Sequence, residues 1–237
     1  MNECVVASTG EETNPQGCTV LGIPLRAAED VPPEAIDAQA DRMFHMLEYR
    51  PDLVAAILET GVEGRVVAQD VRIDRIAEFD RLYDLYPGTD WRRAGRGFPG
   101  TADIPFFAGA EENLLCYDDD FYEGEDHFVR TFALTIRRFG LDIVDPATAS
   151  AIDRAYGQAI AAGLWENTLA EINRDEYWME GSQSFFDANI EDNSPDREPN
   201  SSHNHVNTRD ELREYDPTLY AIAAAVYGET AWRPTCP

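Results

Sequence analysis

Two carboxylates and an amide occur at helical spacing within the segment DEYWMEGSQSFFD, residues 175–187. Glu176 and Glu180 are four residues apart and Gln183 follows three residues later, so in a helix their side chains lie on or beside one face. Polar side chains that converge in this way can bind a ligand. The alternative is an ordinary amphipathic helix, whose acids face water while aromatic residues such as Trp178 pack into the core.

Two histidines, His203 and His205, occupy alternate positions in SSHNHVNT, residues 201–208. Alternate side chains share a face only where the backbone is extended. In that arrangement the two imidazoles could join Glu176 and His127 in a nitrogen and oxygen ligand set for a metal ion. The alternative is a loop whose His and Asn side chains make turn hydrogen bonds or line a substrate cleft.

The chain is strongly acidic, with 45 Asp and Glu residues against 19 basic residues and a net charge of -26. Every basic residue is Arg, and the sequence contains no Lys. Such a surface repels phosphate backbones and anionic lipids, which argues against nucleic-acid and membrane partners. The acidic, Lys-free composition fits either a high-GC genome or adaptation to salt.

A length of 237 residues and a hydrophobic share of 43% are sufficient for one folded domain. Residues 1–19 are polar and are predicted to form a loose N-terminal arm, followed by a single domain over residues 20–237. No run approaches the ~18 apolar residues that a membrane-spanning helix needs, and residues 1–10 lack the basic and apolar regions of a signal peptide. We therefore expect the chain as written to be soluble.

Four cysteines are spread along the chain without a metal-binding spacing such as C-x-x-C. Cys4 and Cys18 lie near the start, Cys116 near the middle and Cys236 near the end. Two disulfides, for which three pairings are possible, would pin the termini to the core and would indicate an exported protein. Free thiols in a cytoplasmic protein are the alternative.

Hydrophobic periodicity predicts an α+β domain that is mostly helical and has a small sheet. The predicted helices include residues 34–47, 51–59, 127–139, 146–162 and 175–186. Residues 65–69 and 113–117 are predicted to be strands, and Thr208 with Glu211 has the pattern of a capping box at a helix start. The helix over residues 127–139 is apolar on most of its surface, so we expect it to be buried at the centre of the domain.

Long blocks of the sequence carry a family resemblance. The stretch GLWENTLAEINRDEYWMEGSQSFFDANIEDN, followed by HNHVNTRDELREYDPTLYAIAAAVYGETAW, resembles the C-terminal half of a family of secreted zincin-like proteins. These proteins are gluzincin-type, with a helix geometry similar to the catalytic domain of anthrax lethal factor. GIPLRAAEDVP, WRRAGRGFPGT and EENLLCY extend the resemblance to roughly residues 20–235. The resemblance implies a zincin-like single domain.

In that family, an H-E-x-x-H helix supplies two zinc ligands and a general base, and a Glu on a later helix supplies the third ligand. The resemblance assigns the third-ligand position to Glu176, which would bind only if a metal is present. The aligned helix reads VRTFALTI, with Arg130 at the first His, Thr131 at the Glu and Leu134 at the second His. Leu169 replaces a Tyr that such sites offer to the oxyanion.

These replacements limit the chemistry of the site. Arg cannot be deprotonated at accessible pH and Leu has no donor atom, so a tetrahedral zinc site cannot form on this helix. We predict instead a buried salt bridge between Arg130 and Glu176. No cofactor is expected, although zinc at a rearranged site is kept as an alternative.

The leading hypothesis for function is a degenerate homologue of a secreted zinc metallopeptidase. It would bind a peptide or glycan in the former active-site cleft without hydrolysis, through Glu180, Gln183, His203 and His205. The alternative is an active metal-dependent hydrolase whose rearranged site uses Glu176, Glu180, His203 and His205. A third possibility is a chain that was mutated or has drifted from an active parent. Secretion is the expected location, with the cytoplasm as the alternative.

Overall fold

The computed structural model describes residues 16–190 and 199–235 of the chain. Within these ranges five strands form one mixed sheet: β1 (Gln16–Val20), β2 (Ile23–Ala27), β3 (Glu63–Val67), β4 (Gly97–Phe98) and β5 (Phe106–Ala110). The strand order is β1-β2-β3-β5-β4. Strands β2, β3 and β5 are parallel, and the outer strands β1 and β4 run antiparallel to their neighbours.

Helices make up most of the remaining described chain. They are α1 (Pro33–Leu47), α2 (Pro51–Thr60), α3 (Leu82–Leu85), α4 (Trp91–Ala94), α5 (Glu111–Leu114), α6 (His127–Ile136), α7 (Asp142–Val144), α8 (Pro146–Ala161), α9 (Leu169–Ile172), α10 (Arg174–Phe185), α11 (Arg209–Tyr215) and α12 (Pro217–Tyr227). Helices α1, α2, α8 and α12 have proline in the first turn, where its fixed φ and missing N–H are tolerated. Short 3-10 turns occur at Ile73–Arg75 and Ala77–Phe79, and a π-helical turn, Arg137–Leu141, follows α6.

Helix α6 is the buried central helix, because all ten of its residues are buried. Asp126 caps its N-terminus by accepting a hydrogen bond from the backbone N–H of Val129 at 2.9 Å, and it also pairs with Arg42 of α1 at 2.5 Å. The ring of Phe132 lies 4.9 Å from the ring of Phe107 on β5. These contacts hold α6 against the sheet and beside α1.

Helix α10 lies antiparallel to α6. The carbonyl of Ala133 accepts a hydrogen bond from Trp178 Nε1 at 3.0 Å, and Arg137, four residues later, donates to the carbonyl of Arg174 at the start of α10. Asn173 caps α10 through backbone N–H groups of its first turn. The helix pair therefore brings the first turns of α6 opposite the last turns of α10.

A second, smaller apolar cluster covers the other face of the sheet. Its buried members are Val67, Ile73, Phe79, Leu82, Trp91, Phe98, Ile104 and Ala108. Neighbouring residues of a strand point to opposite faces, so Phe107 belongs to the main core and Ala108 to the second cluster. The segment between β3 and β5 thus covers the sheet on the side away from α6.

The predicted α+β class, the helix-rich single domain with a small sheet and the buried central helix are confirmed. The predicted strand over residues 113–117 is wrong, because Glu111 and Glu112 form the acidic first turn of the short helix α5 directly after β5. The predicted arm lies outside the described residues except for residues 16–19, which belong to β1.

Two of the four cysteines lie within the described residues. Cys18 and Cys116 lie within the described residues and neither is a free thiol, whereas Cys4 and Cys236 lie outside them. The disulfide pairing and the inferred export therefore stay predictions. None of the helices in the described ranges is long and apolar enough to span a bilayer.

Gly181 allows α12 to pack closely on α10. A Cβ atom at this position would lie 2.3 Å from Leu219 Cδ2. We expect Gly181→Ala to lower the free energy of unfolding by about 1–3 kcal/mol through overpacking. Gly157→Ala on α8 is the matched control: a Cβ there meets no atom within 4 Å, so the better helix propensity of Ala should stabilise the protein. Urea unfolding of both variants measures the difference, and equal effects would contradict the close packing.

Candidate functional site

A buried ion-pair cluster lies between α6 and α10, with the Arg130 side chain at its centre. Nη1 of Arg130 donates to Glu180 Oε2 at 2.5 Å and to Gln183 Oε1 at 3.1 Å, and Nη2 donates to Glu176 Oε2. The side chains of Arg130 and Glu180 are 5% and 1% exposed, whereas that of Glu176 is 27% exposed. We call these four residues the Arg130 cluster. The predicted salt bridge to Glu176 is present, and Glu180 is the more deeply buried partner.

The helical repeat explains why one guanidinium reaches three acceptors. Glu176, Glu180 and Gln183 follow one another at intervals of four and three residues on α10, so their side chains stack along one face. A planar guanidinium presents several N–H donors in a fixed fork and can serve separate acceptors at once. The cluster therefore joins two turns of α10 to a single residue of α6.

The second carboxylate oxygen of Glu180 has partners of its own. His203 Nδ1 lies 2.8 Å from Oε1, and Asn189 Nδ2 donates to the same atom at 2.9 Å. Burial alone would raise the pKa of Glu180, but Arg130 and His203 outweigh it and lower this pKa to about 2. Burial likewise opposes the charged form of His203, yet the contact with Glu180 raises the pKa of this imidazole overall. Glu180 is thus held as a carboxylate.

The depressed pKa of Glu180 predicts a loss of stability in acid. A carboxyl whose folded pKa is lowered contributes stability above its ordinary pKa of 4.5, and this contribution disappears as the pH falls towards about 2. We expect the difference in unfolding free energy between the wild type and Glu180→Gln to shrink across this range. Denaturant titrations at several pH values measure it, and a difference independent of pH would contradict the ionised state of Glu180.

Gln183 connects the Arg130 cluster to the segment that precedes α6. Its Nε2 donates to Glu125 Oε2 at 2.8 Å and to the carbonyl of Asp126 at 3.1 Å. Burial raises the pKa of the Glu125 carboxyl.

A cavity of about 210 Å³ lies beside Glu125 and Asp126. Its other acidic lining residues are Asp118, Asp120, Glu123 and Asp187.

His127 begins α6 one turn before Arg130. Its ring stacks on Tyr122, with ring centroids 3.7 Å apart, and a Cβ on Gly97 of β4 would lie 2.5 Å from its Cδ2. Burial, reinforced by the nearby Arg130, lowers the pKa of His127 to about 3, so the imidazole is neutral at neutral pH. Tyr122, which stacks on His127, and Glu125, which accepts from Gln183, were missed by the sequence reasoning, because no motif or spacing marks either residue.

The structure brings together four of the five predicted site residues. They are Glu176, Glu180, Gln183 and His203. His205 lies apart, edge-on against Tyr215 at 5.4 Å. Residues 201–208 are not an extended strand, because Asn200 and Asn204 accept backbone hydrogen bonds that form local turns. The two imidazoles therefore do not share a face, and the rearranged ligand set is not assembled.

Glu180 was predicted to contact substrate, and its position argues against this role. The side chain is 1% exposed, and both carboxylate oxygens already accept hydrogen bonds or ion pairs from Arg130, His203 and Asn189. A buried carboxylate whose two oxygens already have hydrogen-bond partners is not available to bind a ligand. Of the carboxylates in the Arg130 cluster, Glu176 is the one that reaches the surface.

The residues at the positions that the resemblance aligns with the H-E-x-x-H motif do not fit a zinc ion. Arg130 fills the space between the two carboxylates with a permanent cation, and Leu134 is buried and has no donor atom. The hydroxyl of Thr131 donates to the carbonyl of His127, one turn earlier on α6. Across residues 16–190 and 199–235, no group of three or more His, Cys, Asp or Glu side chains is arranged to hold a metal ion.

Comparison with known proteins bears on the fold. No protein-family profile and no curated protein sequence matches the chain. Among solved structures, the chain is similar to the PRO-PRO endopeptidase (PPEP-2) from Paenibacillus alvei, with a TM-score of 0.54 and 12% identity. The alignment covers 88% of this chain and 100% of that chain. At this identity the likeness concerns the fold alone. It confirms the predicted zincin-like α+β domain, and the relation to the anthrax lethal factor-like family stays a prediction.

Proposed function

We propose that this protein is a degenerate homologue of a secreted metallopeptidase, which binds a peptide or glycan in the former active-site cleft without hydrolysing it. One observation carries the proposal. Arg130 forms ion pairs with Glu176 and Glu180 at the position where the resemblance would place a zinc ligand. A guanidinium neither ligates zinc nor accepts a proton, so the usual activation of water has no group on α6 to perform it.

A ligand would find accessible groups beside the cluster rather than inside it. Glu176 is partly exposed at the surface of α10, and the cavity next to Glu125 offers about 210 Å³. The cavity also has an apolar part, to which Tyr117, Ala188 and Pro234 contribute. Apolar walls with a few polar groups are typical of small ligand sites. A peptide is the first ligand to test, because the similar solved structure is that of an endopeptidase.

Peptide and glycan arrays, combined with mass spectrometry of the incubated ligands, test this function. We expect binding without cleavage products, and a higher Kd for Glu176→Ala and Glu125→Gln. Glu59→Ala on α2 is the control, because Glu59 is an exposed acid outside the cluster and its loss should leave binding unchanged.

Three outcomes would overturn the proposed function in whole or in part. Cleavage that a chelator abolishes would identify an active metallopeptidase. Equal binding by the wild type and by the Glu176 and Glu125 variants would place the ligand elsewhere on the surface. The absence of any ligand on both arrays would remove the binding part of the proposal.

A further inference from the structure

The charges of the Arg130 cluster and its nearest partner are balanced without a metal ion. Glu176 and Glu180 carry two negative charges, which face the guanidinium of Arg130 and the imidazole of His203. With His203 protonated, the four charges sum to zero. Buried ions are stable only when each is paired and hydrogen-bonded, and this arrangement meets both conditions for Glu180.

The acceptor atoms are also arranged for a guanidinium rather than for a metal ion. Nη1 of Arg130 shares its donors between Glu180 and Gln183, at 2.5 and 3.1 Å, while Nη2 points at Glu176. Zinc would require its oxygen ligands at about 2.0–2.2 Å around one point. A planar fork instead suits acceptors that lie in a row, and the helical repeat of α10 supplies such a row.

We propose that Glu176, Glu180 and Gln183 form a guanidinium-selective cation site, which the chain fills with its own Arg130. This internal cation holds α6 on α10. The site therefore stabilises the packing of α6 against α10. It does not depend on the proposed function, so a failure to find a peptide or glycan ligand leaves it standing.

Removal of the Arg130 side chain tests the selectivity of the site. Arg130→Ala shortens the side chain and leaves the three acceptors of α10 in place. Methylguanidinium at tens of millimolar should then raise the Tm of this variant by about 3–5 °C, as expected for a weak ligand that binds only the folded state. The Tm of the wild type should not rise. The double variant Arg130→Ala with Glu180→Gln is the matched control and should lose the rescue. Zinc chloride and methylammonium should give no comparable increase.

Three results would overturn the cation site. They are a larger increase of Tm with zinc than with methylguanidinium, equal rescue by methylammonium, and a folded Arg130→Ala variant that no cation stabilises. If Arg130→Ala does not fold, Arg130→Lys provides the same test, because it keeps the charge and loses the fork. We expect a Tm at least several degrees below that of the wild type. A Tm equal to that of the wild type would refute the selectivity for guanidinium.

Discussion

Arg130→Met should lower the free energy of unfolding by about 3–5 kcal/mol. This is the largest loss of stability that we expect when a single charged residue of this chain is replaced by an uncharged one. Met preserves most of the length of the side chain but not its charge. Glu180 would then remain as a buried carboxylate with His203 as its only charged partner, and uncompensated buried charge is costly. Denaturant unfolding at pH 7 measures the loss. Arg92→Met is the control, because Arg92 pairs with Asp90 at an exposed site and should leave stability unchanged.

A double-mutant cycle separates the two carboxylates of the cluster. We expect a coupling free energy of about 2–3 kcal/mol between Arg130 and Glu180, and a smaller one between Arg130 and Glu176. The reason is burial, since Glu180 is 1% exposed and water screens the 27% exposed Glu176 more effectively. Additive effects for both pairs would show that Arg130 stabilises the protein by packing rather than through its charge.

Introduction of two histidines into α6 should create a zinc site. In the variant with Arg130→His and Leu134→His, two imidazoles would lie one turn apart on α6, and Glu176 would be released from its ion pair. These are the three ligand positions that the resemblance assigns. Zinc at a hundredfold excess over its Kd should then stabilise the variant by about 2.7 kcal/mol. Equilibrium dialysis with elemental analysis counts the bound metal, and thermal unfolding measures the gain.

The ligand roles can be checked by further variants. Glu176→Gln in the two-histidine background should weaken zinc binding, and Arg130→His alone should bind zinc poorly. Thr131→Glu and Leu169→Tyr complete the motif without adding a zinc ligand, so they should change zinc affinity little. A folded two-histidine variant without zinc affinity would refute the alignment of α6 with the zincin motif.

Much of the site could be predicted because it depends on local chemistry. Positions 130, 131 and 134 carry no zinc ligand, and this conclusion needs only the residue types. The shared face of Glu176, Glu180 and Gln183 follows from helical spacing alone, and the structure places all three against α6. The capping box of Thr208 and Glu211 is equally local and is present at the start of α11.

The errors concern features that hydrophobic periodicity does not encode. His203 and His205 look equivalent, yet one pairs with Glu180 and the other packs on Tyr215, because the turn around Asn200 and Asn204 separates their directions. Residues 113–117, predicted to be a strand, instead form the end of α5 and the turn after it, because this helix begins at Glu111, directly after the buried strand β5.

The sequence by itself determined which zinc-binding side chains are absent from α6 and where the longer helices α1, α2, α6, α8 and α10 lie, since side-chain type and hydrophobic periodicity are properties of single residues and short segments. The tertiary structure alone decided that Glu180 is the deeper partner of Arg130, that His203 joins it and that Glu125 is linked through Gln183. These contacts join residues 23 to 58 positions apart in the chain. The packing of α6 against α10 fixes the distances between these residues and the burial of their side chains. Burial in turn decides how much each ion pair contributes to stability.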